Sequence, residues 1–251
     1  FGIVSAGVYW VREYILYTIK AGHNAVIVVM LDGKPMPEGK SQIAHATDTV
    51  KARFAEMNVL FVLDQLIKGV IRALTGIIGG VAWLIPIPGL EGIARFVNTV
   101  IRLSLTYVDE IILGYNMRID SQNPWETSRQ GLVLYAQNGR TMVKNAIWLS
   151  VFLWVLAIVV FIVMLAPAGA IAYLFPGALS GWGIVLAIVF AWAFKAAVLE
   201  PFAITALMQV YFQVIEGQRP NPEWDARLAS ASDKFRELKD RAFGAGGTQT
   251  A

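Results

Sequence analysis

The chain has 251 residues, 56% of them hydrophobic and 16% charged, with no Cys and a net charge of +3. A soluble domain carries about 45–50% apolar and about 25% charged residues, so part of this apolar surplus has no soluble core to enter and a bilayer is the expected solvent. The missing Cys excludes a disulfide, a thiolate nucleophile and a Cys-ligated metal, and the charge is too small and too dispersed for a nucleic-acid binder.

The first segment, residues 1–57, opens with Phe1 to Leu31, apolar apart from Arg12, Glu13, Lys20 and His23. It reads as a crossing or as an interfacial, partner-packed helix, because the Arg12–Glu13 pair falls mid-segment. The chain starts at Phe1 rather than Met, and residues ahead of it are expected. Asp32 to Gly39 (DGKPMPEG) is a solvated turn. Ser41 to Met57 is expected to be helical, with Val50, Phe54 and Met57 on one side.

Residues 58–118 are expected to form a membrane hairpin, either a double crossing or a re-entrant loop. Asn58 to Pro88 loses its charge after Arg72, Pro86 to Gly89 (PIPG) makes the turn, and Leu90 to Met117 runs back. Asp64, Lys68 and Arg72 recur at four-residue steps and share one helical face. Gly76, Gly79 and Gly80 suit close helix packing in this apolar setting better than a phosphate loop.

The returning arm carries the best functional candidate. Glu91, Arg95, Asn98, Arg102 and Asp109 step along one side of a helix, opposite Ile93, Phe96, Val97, Val100, Ile101 and Leu103. If that helix crosses, the stripe must face a bundle interior or a water-filled path, since each charge facing lipid costs about 2.5–3.5 kcal/mol. If it lies flat, the stripe faces the cytoplasm. Both readings stand at this point.

Residues 119–145 are expected as a cytoplasmic interfacial helix. Asn123-Pro124-Trp125-Glu126 places a cap, a Pro at the first helical position and a Glu at the third. Asn221-Pro222-Glu223-Trp224 echoes it, and both put a Trp at the interface.

Residues 146–216 form the clearest membrane hairpin. Ala146 to Leu165 has no charge and is about the twenty residues that a ~30 Å hydrocarbon core needs. Ala166 to Ser180, with Pro167 and Pro176, reads as a turn at the far interface. Gly181 to Leu199 returns, with a break at Glu200 and Pro201, and Phe202 to Ile215 continues kinked or runs along the interface. Lys195 and Glu200 are embedded charges lying about 140° apart on an ideal helix, poor mutual partners. Broken helices can line substrate sites in transporters; a plain kink is the other reading. Residues 217–251 are expected as one cytoplasmic helix, Glu223 to Phe243, and a flexible tail. Its apolar side is Trp224, Leu228, Phe235 and Leu238, and Arg236–Asp240 and Glu237–Arg241 are possible ion pairs.

Arg118, Arg129, Arg140, Lys144 and the basic tail flank the crossings, while the turn between them has no charge. The positive-inside rule then places the C-terminus in the cytoplasm, with a bacterial inner membrane as the expected location. His23 and His45 lie in loop-like surroundings with no HExxH, and no P-loop or GxGxxG follows a strand. No catalytic residue, metal or cofactor is expected, and the chain is not read as an enzyme.

From Tyr107 onward the order of parts resembles the C-terminal half of choline-transporter-like proteins. The segments carrying the resemblance are YVDEIILGYNM (Tyr107 to Met117), SRQGLVLYAQN (Ser128 to Asn138) and, after the two crossings, FAITALMQVYFQVIEG (Phe202 to Gly217). The whole chain also looks like a prokaryotic multi-pass membrane protein. No binding residues are carried over.

The expected fold is an all-α polytopic transmembrane bundle with about four crossings plus amphipathic interfacial helices. Two functions fit it. One is a transporter-like or pore-forming protein acting on a small solute or lipid. The other is a non-enzymatic assembly or scaffold subunit of a larger membrane complex. The expected partners are the lipid bilayer and either further copies of the chain in a homo-oligomer or other membrane subunits.

Overall fold

The computed structural model describes residues 2–36, 39–52, 59, 61–72, 105, 107–174 and 182–247, and no strand occurs among them. The helices are α1 (Gly2–Leu31), α2 (Gln42–Ala52), α3 (61–72), α4 (Val108–Arg118), α5 (Pro124–Gln137) and α6 (Gly139–Leu174). There follow α7 (Gly183–Phe194), a π turn (Lys195–Leu199), α8 (Glu200–Val214), α9 (Pro222–Ala231) and α10 (Asp233–Gly247). The all-α architecture expected from the sequence is therefore present.

Three stretches are long and apolar enough to cross a membrane: Gly7–Leu31, Gly139–Leu174 and Gly183–Val214. Residues 73–104, which hold the expected hairpin turn, the Gly76–Gly80 patch and most of the polar stripe, lie outside the described residues, as does 175–181.

The α6 helix is longer than its apolar stretch predicts. It starts at Gly139 and runs unbroken through Pro167 to Leu174, so the first part of the turn expected over Ala166 to Ser180 is helical, and the rest of that turn lies outside the described residues. A Pro inside an apolar helix removes one N–H, and a neighbouring helix lets the fold tolerate it. Here α7 runs back alongside. Small residues set their separation: Ala168 and Ala187 are fully buried, and a Cβ on Gly183 would lie 3.6 Å from the Ala172 Cβ.

The break at Pro201 is a π turn. Pro201 cannot donate to a carbonyl four residues back, and its ring crowds the preceding turn. The backbone widens instead, and the Glu200 N–H reaches the Lys195 carbonyl five residues away. That changes the geometry assumed for an ideal helix. Lys195 and Glu200 come to one side, with Lys195 Nζ donating to Glu200 Oε1 at 3.1 Å, so they are mutual partners after all.

Below the hairpin, α4, α5, α8, α9 and α10 form a bundle on one core. Its fully buried members include Ile111, Ile112, Leu132, Tyr135, Met208, Tyr211, Leu228 and Phe235. Both expected caps form: the Glu126 N–H donates to Asn123 Oδ1 at 3.2 Å, and the Glu223 N–H to Asn221 Oδ1 at 2.7 Å. The helix expected over Glu223 to Phe243 is two helices. Ser232 adopts an extended conformation between them, and its Oγ accepts from the Phe235 N–H at 3.2 Å. Arg236 consequently pairs with Asp233, whereas Arg241 pairs with Glu237 at 2.8 Å as its spacing suggests.

Candidate functional site

The α1 helix has two working faces, and each borders a different environment. Thr18, Ile19, Gly22, His23, Val26 and Met30 look toward α2 and α8. Glu13, Tyr17, Lys20, Ala21 and Asn24 look the opposite way, toward α3 and α4. At about 100° per residue the two sets fall on opposite sides of the helix.

On the first side lies a cleft of about 1000 Å³, walled by α1, by Gln42, Ile43, Ala46 and Val50 of α2, and by Pro201, Phe202 and Thr205 of α8. Its wall is overwhelmingly apolar. Polar groups are few: Thr18, His23, Gln42, Thr47, Lys51 and Thr205. Gly22 permits the approach of α2, since a Cβ there would lie 3.4 Å from the Ala46 Cβ. His23 and His45 both belong to helices rather than loops, and His23 borders this cleft.

The second side holds a cluster of charges inside the bundle. Phe61 on α3 stacks edge-on against Trp10, Tyr14 and Tyr17 at centroid distances of 6.1, 5.3 and 5.5 Å, which seats α3 on α1. Lys20 then pairs with Glu110 on α4, and Asn24 Nδ2 donates to the Glu110 backbone oxygen at 3.2 Å. Lys68 on α3 lies 2.7 Å from Asp64 Oδ2 and 3.9 Å from both Asp109 Oδ2 and Glu13 Oε2. Glu13 has its own partner in Arg12 at 2.9 Å. Of the four buried side-chain oxygens with no hydrogen-bond partner among the described residues, three belong to this cluster: Asp109 Oδ1, Glu110 Oε2 and the Tyr17 hydroxyl.

Of the predicted stripe, the structure places Asp109, 7% exposed, in this cluster. Glu91, Arg95, Asn98 and Arg102 lie outside the described residues. Lys195 and Glu200 pair with each other with roughly half of each side chain exposed, and Pro201 forms part of the cleft wall. Asp64 and Lys68 are the four-step pair seen in the sequence, and they face α1 and α4 inside the bundle. Tyr17, Lys20, Asn24 and Glu110 were not singled out. The three- and four-residue spacing of Tyr17, Lys20 and Asn24 was a readable signal of one polar face on an apolar helix.

The three segments behind the family resemblance meet in space, at the foot of α8. Asn116 Nδ2 on α4 donates to Ser128 Oγ on α5 at 2.7 Å. The Tyr211 hydroxyl on α8 donates to the Gly131 backbone oxygen at 3.0 Å, and its ring stands edge-on to Tyr115. A Cβ on Gly131 would lie 2.9 Å from Ile112 Cδ1, so only Gly admits this crossing without rearrangement. Outside that knot, Arg129 joins Glu126 and Asp225, and Lys239 also reaches Asp225, which docks α9 and α10 on α5. The hydrogen bonds from Arg129 hold the Glu126 carboxyl below the usual carboxylate range.

Among known proteins, no family model, no curated sequence and no solved structure matches this chain.

Proposed function

We propose that this protein is a transporter-like integral membrane protein that takes an amphiphile, a lipid or a lipid-like solute, into the cleft between α1, α2 and α8. The observation that carries the reading is that cleft: about 1000 Å³, apolar along most of its wall, with a handful of polar groups among its lining residues. Small-molecule sites are concave and mostly apolar, with a few polar groups that fix orientation. Here the wall suits an acyl chain, while Lys51, His23 and Gln42 suit a headgroup. The cleft meets the helix break at Pro201, a position where transporters place their sites. The resemblance from Tyr107 onward to choline-transporter-like proteins supports the same reading. No nucleophile with an adjacent base enters it, and the proposed role is not enzymatic.

The scaffold reading asks protein partners to cover the exposed apolar faces of α6 and α7. A bilayer covers them without further assumption. Arg140, Lys144 and Arg219 at the foot of the hairpin support, by the positive-inside rule, a cytoplasmic lower bundle and C-terminus, and a bacterial inner membrane is the proposed location.

Native mass spectrometry of protein released from nanodiscs tests this. A lipid adduct is expected on the wild type, reduced at least tenfold in occupancy by Ala46→Trp, which fills the cleft. Equal adducts on both proteins overturn the reading. The same spectrum gives the number of copies, for which a homo-oligomer is proposed.

A further inference from the structure

Among the described residues, the charged cluster behind α1 contains one carboxylate more than its close ion pairs serve. Glu13 is held by Arg12 at 2.9 Å, Glu110 by Lys20, and Asp64 by Lys68 at 2.7 Å. Asp109 is the fourth carboxylate. Lys68 is 3.9 Å away and already engaged, and Lys20, which also acts on Asp109 electrostatically, is held by Glu110. Its Oδ1 is buried and receives no hydrogen bond from a described donor, its side chain is 7% exposed, and its carboxyl lies in reach of the neighbouring Glu110 carboxyl, a hydrogen bond that forms only when one of the two carries a proton. A second, independent group points into the same place: the Tyr17 hydroxyl, in a residue 5% exposed, is also unpartnered and lies within electrostatic reach of Asp64. An isolated buried carboxylate is among the most costly groups a fold can hold, and it escapes that cost by taking up a proton.

We propose that Asp109 is a proton-binding site inside the bundle, and that its proton exchanges with Asp64 as Lys68 changes partner. In the arrangement seen, Lys68 serves Asp64 and the proton resides on Asp109 Oδ1. When the ammonium crosses to Asp109, that carboxyl gives up its proton and becomes the charged partner. Asp64, now without its cation, takes the proton up. One proton and one ammonium trade places between two carboxylates, and the net charge of the cluster is unchanged. The other groups facing this exchange are Glu13, Tyr17 and Lys20 from α1 and Glu110 from α4 itself; Arg12 stays on the outer side with Glu13. The cluster is separate from the lipid cleft, being on the opposite face of α1, so a proton site here supplies what coupled movement of a solute would need.

Infrared difference spectroscopy of the wild-type protein in nanodiscs, titrated across neutral pH without added lipid, tests this directly. One carbonyl-stretch band of a protonated carboxyl is expected at neutral pH, shifting in heavy water. Its absence in the wild type overturns the proposal without any variant. The band should vanish in Asp109→Asn. It should also vanish in Asp64→Asn, because Lys68 is then free to pair with Asp109. Lys68→Met should double its intensity. A band that survives Asp64→Asn overturns the exchange. A band whose titration moves with sodium at fixed ionic strength overturns the assignment to a proton. Because no amphiphile is involved, the band stands or falls independently of lipid adducts in the cleft.

Discussion

Along α6, Trp148, Trp154, Ile158 and Ile162 are each more than half exposed, whereas along α5 every residue from Gly131 to Ala136 is buried. The two helices are consecutive in the chain, joined at Asn138, yet they obey different solvents. In the hairpin the bilayer takes the place of a core, and the helices meet through small residues such as Ala168 and Ala187 and an aromatic pair, Phe152 and Phe202. In the lower bundle water surrounds the protein, so apolar surface must be buried internally, and polar groups must be paired where they are enclosed. The difference shows where sequence changes are felt. A lipid-facing side chain has no specific neighbour to lose, while a bundle residue such as Tyr211 touches α4, α5 and its own helix.

The contrast can be broken most sharply at Arg129. Arg129→Ala removes the cation shared by Glu126 and Asp225 and leaves Asp225 to Lys239 alone, which should cost about 2–3 kcal/mol. Thermal unfolding in detergent should show the loss, and hydrogen exchange should place it in α5, α9 and α10 with α6 and α7 unchanged. Gly131→Ala should cost about 2 kcal/mol, since the new Cβ meets Ile112 Cδ1 at 2.9 Å and Tyr115 Cδ1 at 3.1 Å. Tyr211→Phe loses one buried hydrogen bond and should cost about 1 kcal/mol by the same assay.

Acid should sharpen the comparison further. The folded state depresses the Glu126 pKa through Arg129, while Arg129 itself is pushed further up and stays charged. Stabilisation from a depressed carboxylate is fully present above its unfolded value, about 4.3, and is lost as pH falls through the folded value. Exchange of the α5–α9 contact should therefore quicken on acidification below that range, while the lipid-facing residues of α6 show no matching change. The smallest effect is expected from Trp154→Leu on the exposed side of α6, within about 0.5 kcal/mol.

Much of this fold was legible because its signals are local. The two NPxW starts required only the cap chemistry of Asn123 and Asn221. The uncharged stretch from Ala146 required only a length. Where the reading erred, the cause was a local rule overridden by a neighbour or by backbone geometry. Pro167 signals a helix end in water, but α7 packs alongside and the helix continues. Lys195 and Glu200 were judged on a 100° step that the π turn abolishes. Ser232, a residue favoured at caps, divides a helix that its flanking apolar pattern joined. The charged cluster was legible only in halves. Asp64 and Lys68 announce a shared face, and Asp109 a polar position, but Lys20 and Glu110 are ninety residues apart in sequence. Nothing in one chain's spacing brings such distant groups together.

The 36-residue length of α6 carries a mechanical consequence. One unbroken rod, about 54 Å long at 1.5 Å per residue, is gripped at its foot by buried Met142, Ala146 and Ser150. Exposed Trp148, level with that foot, and exposed Tyr173, near the far end, lie about 38 Å apart along it, close to the separation of the two headgroup layers of a bilayer. The aromatic rings moor the rod to the lipid while the foot moors it to the bundle. The thickness of the surrounding membrane thus sets the height at which the lower helices ride, and a thinner or thicker bilayer tilts or lifts them as a body.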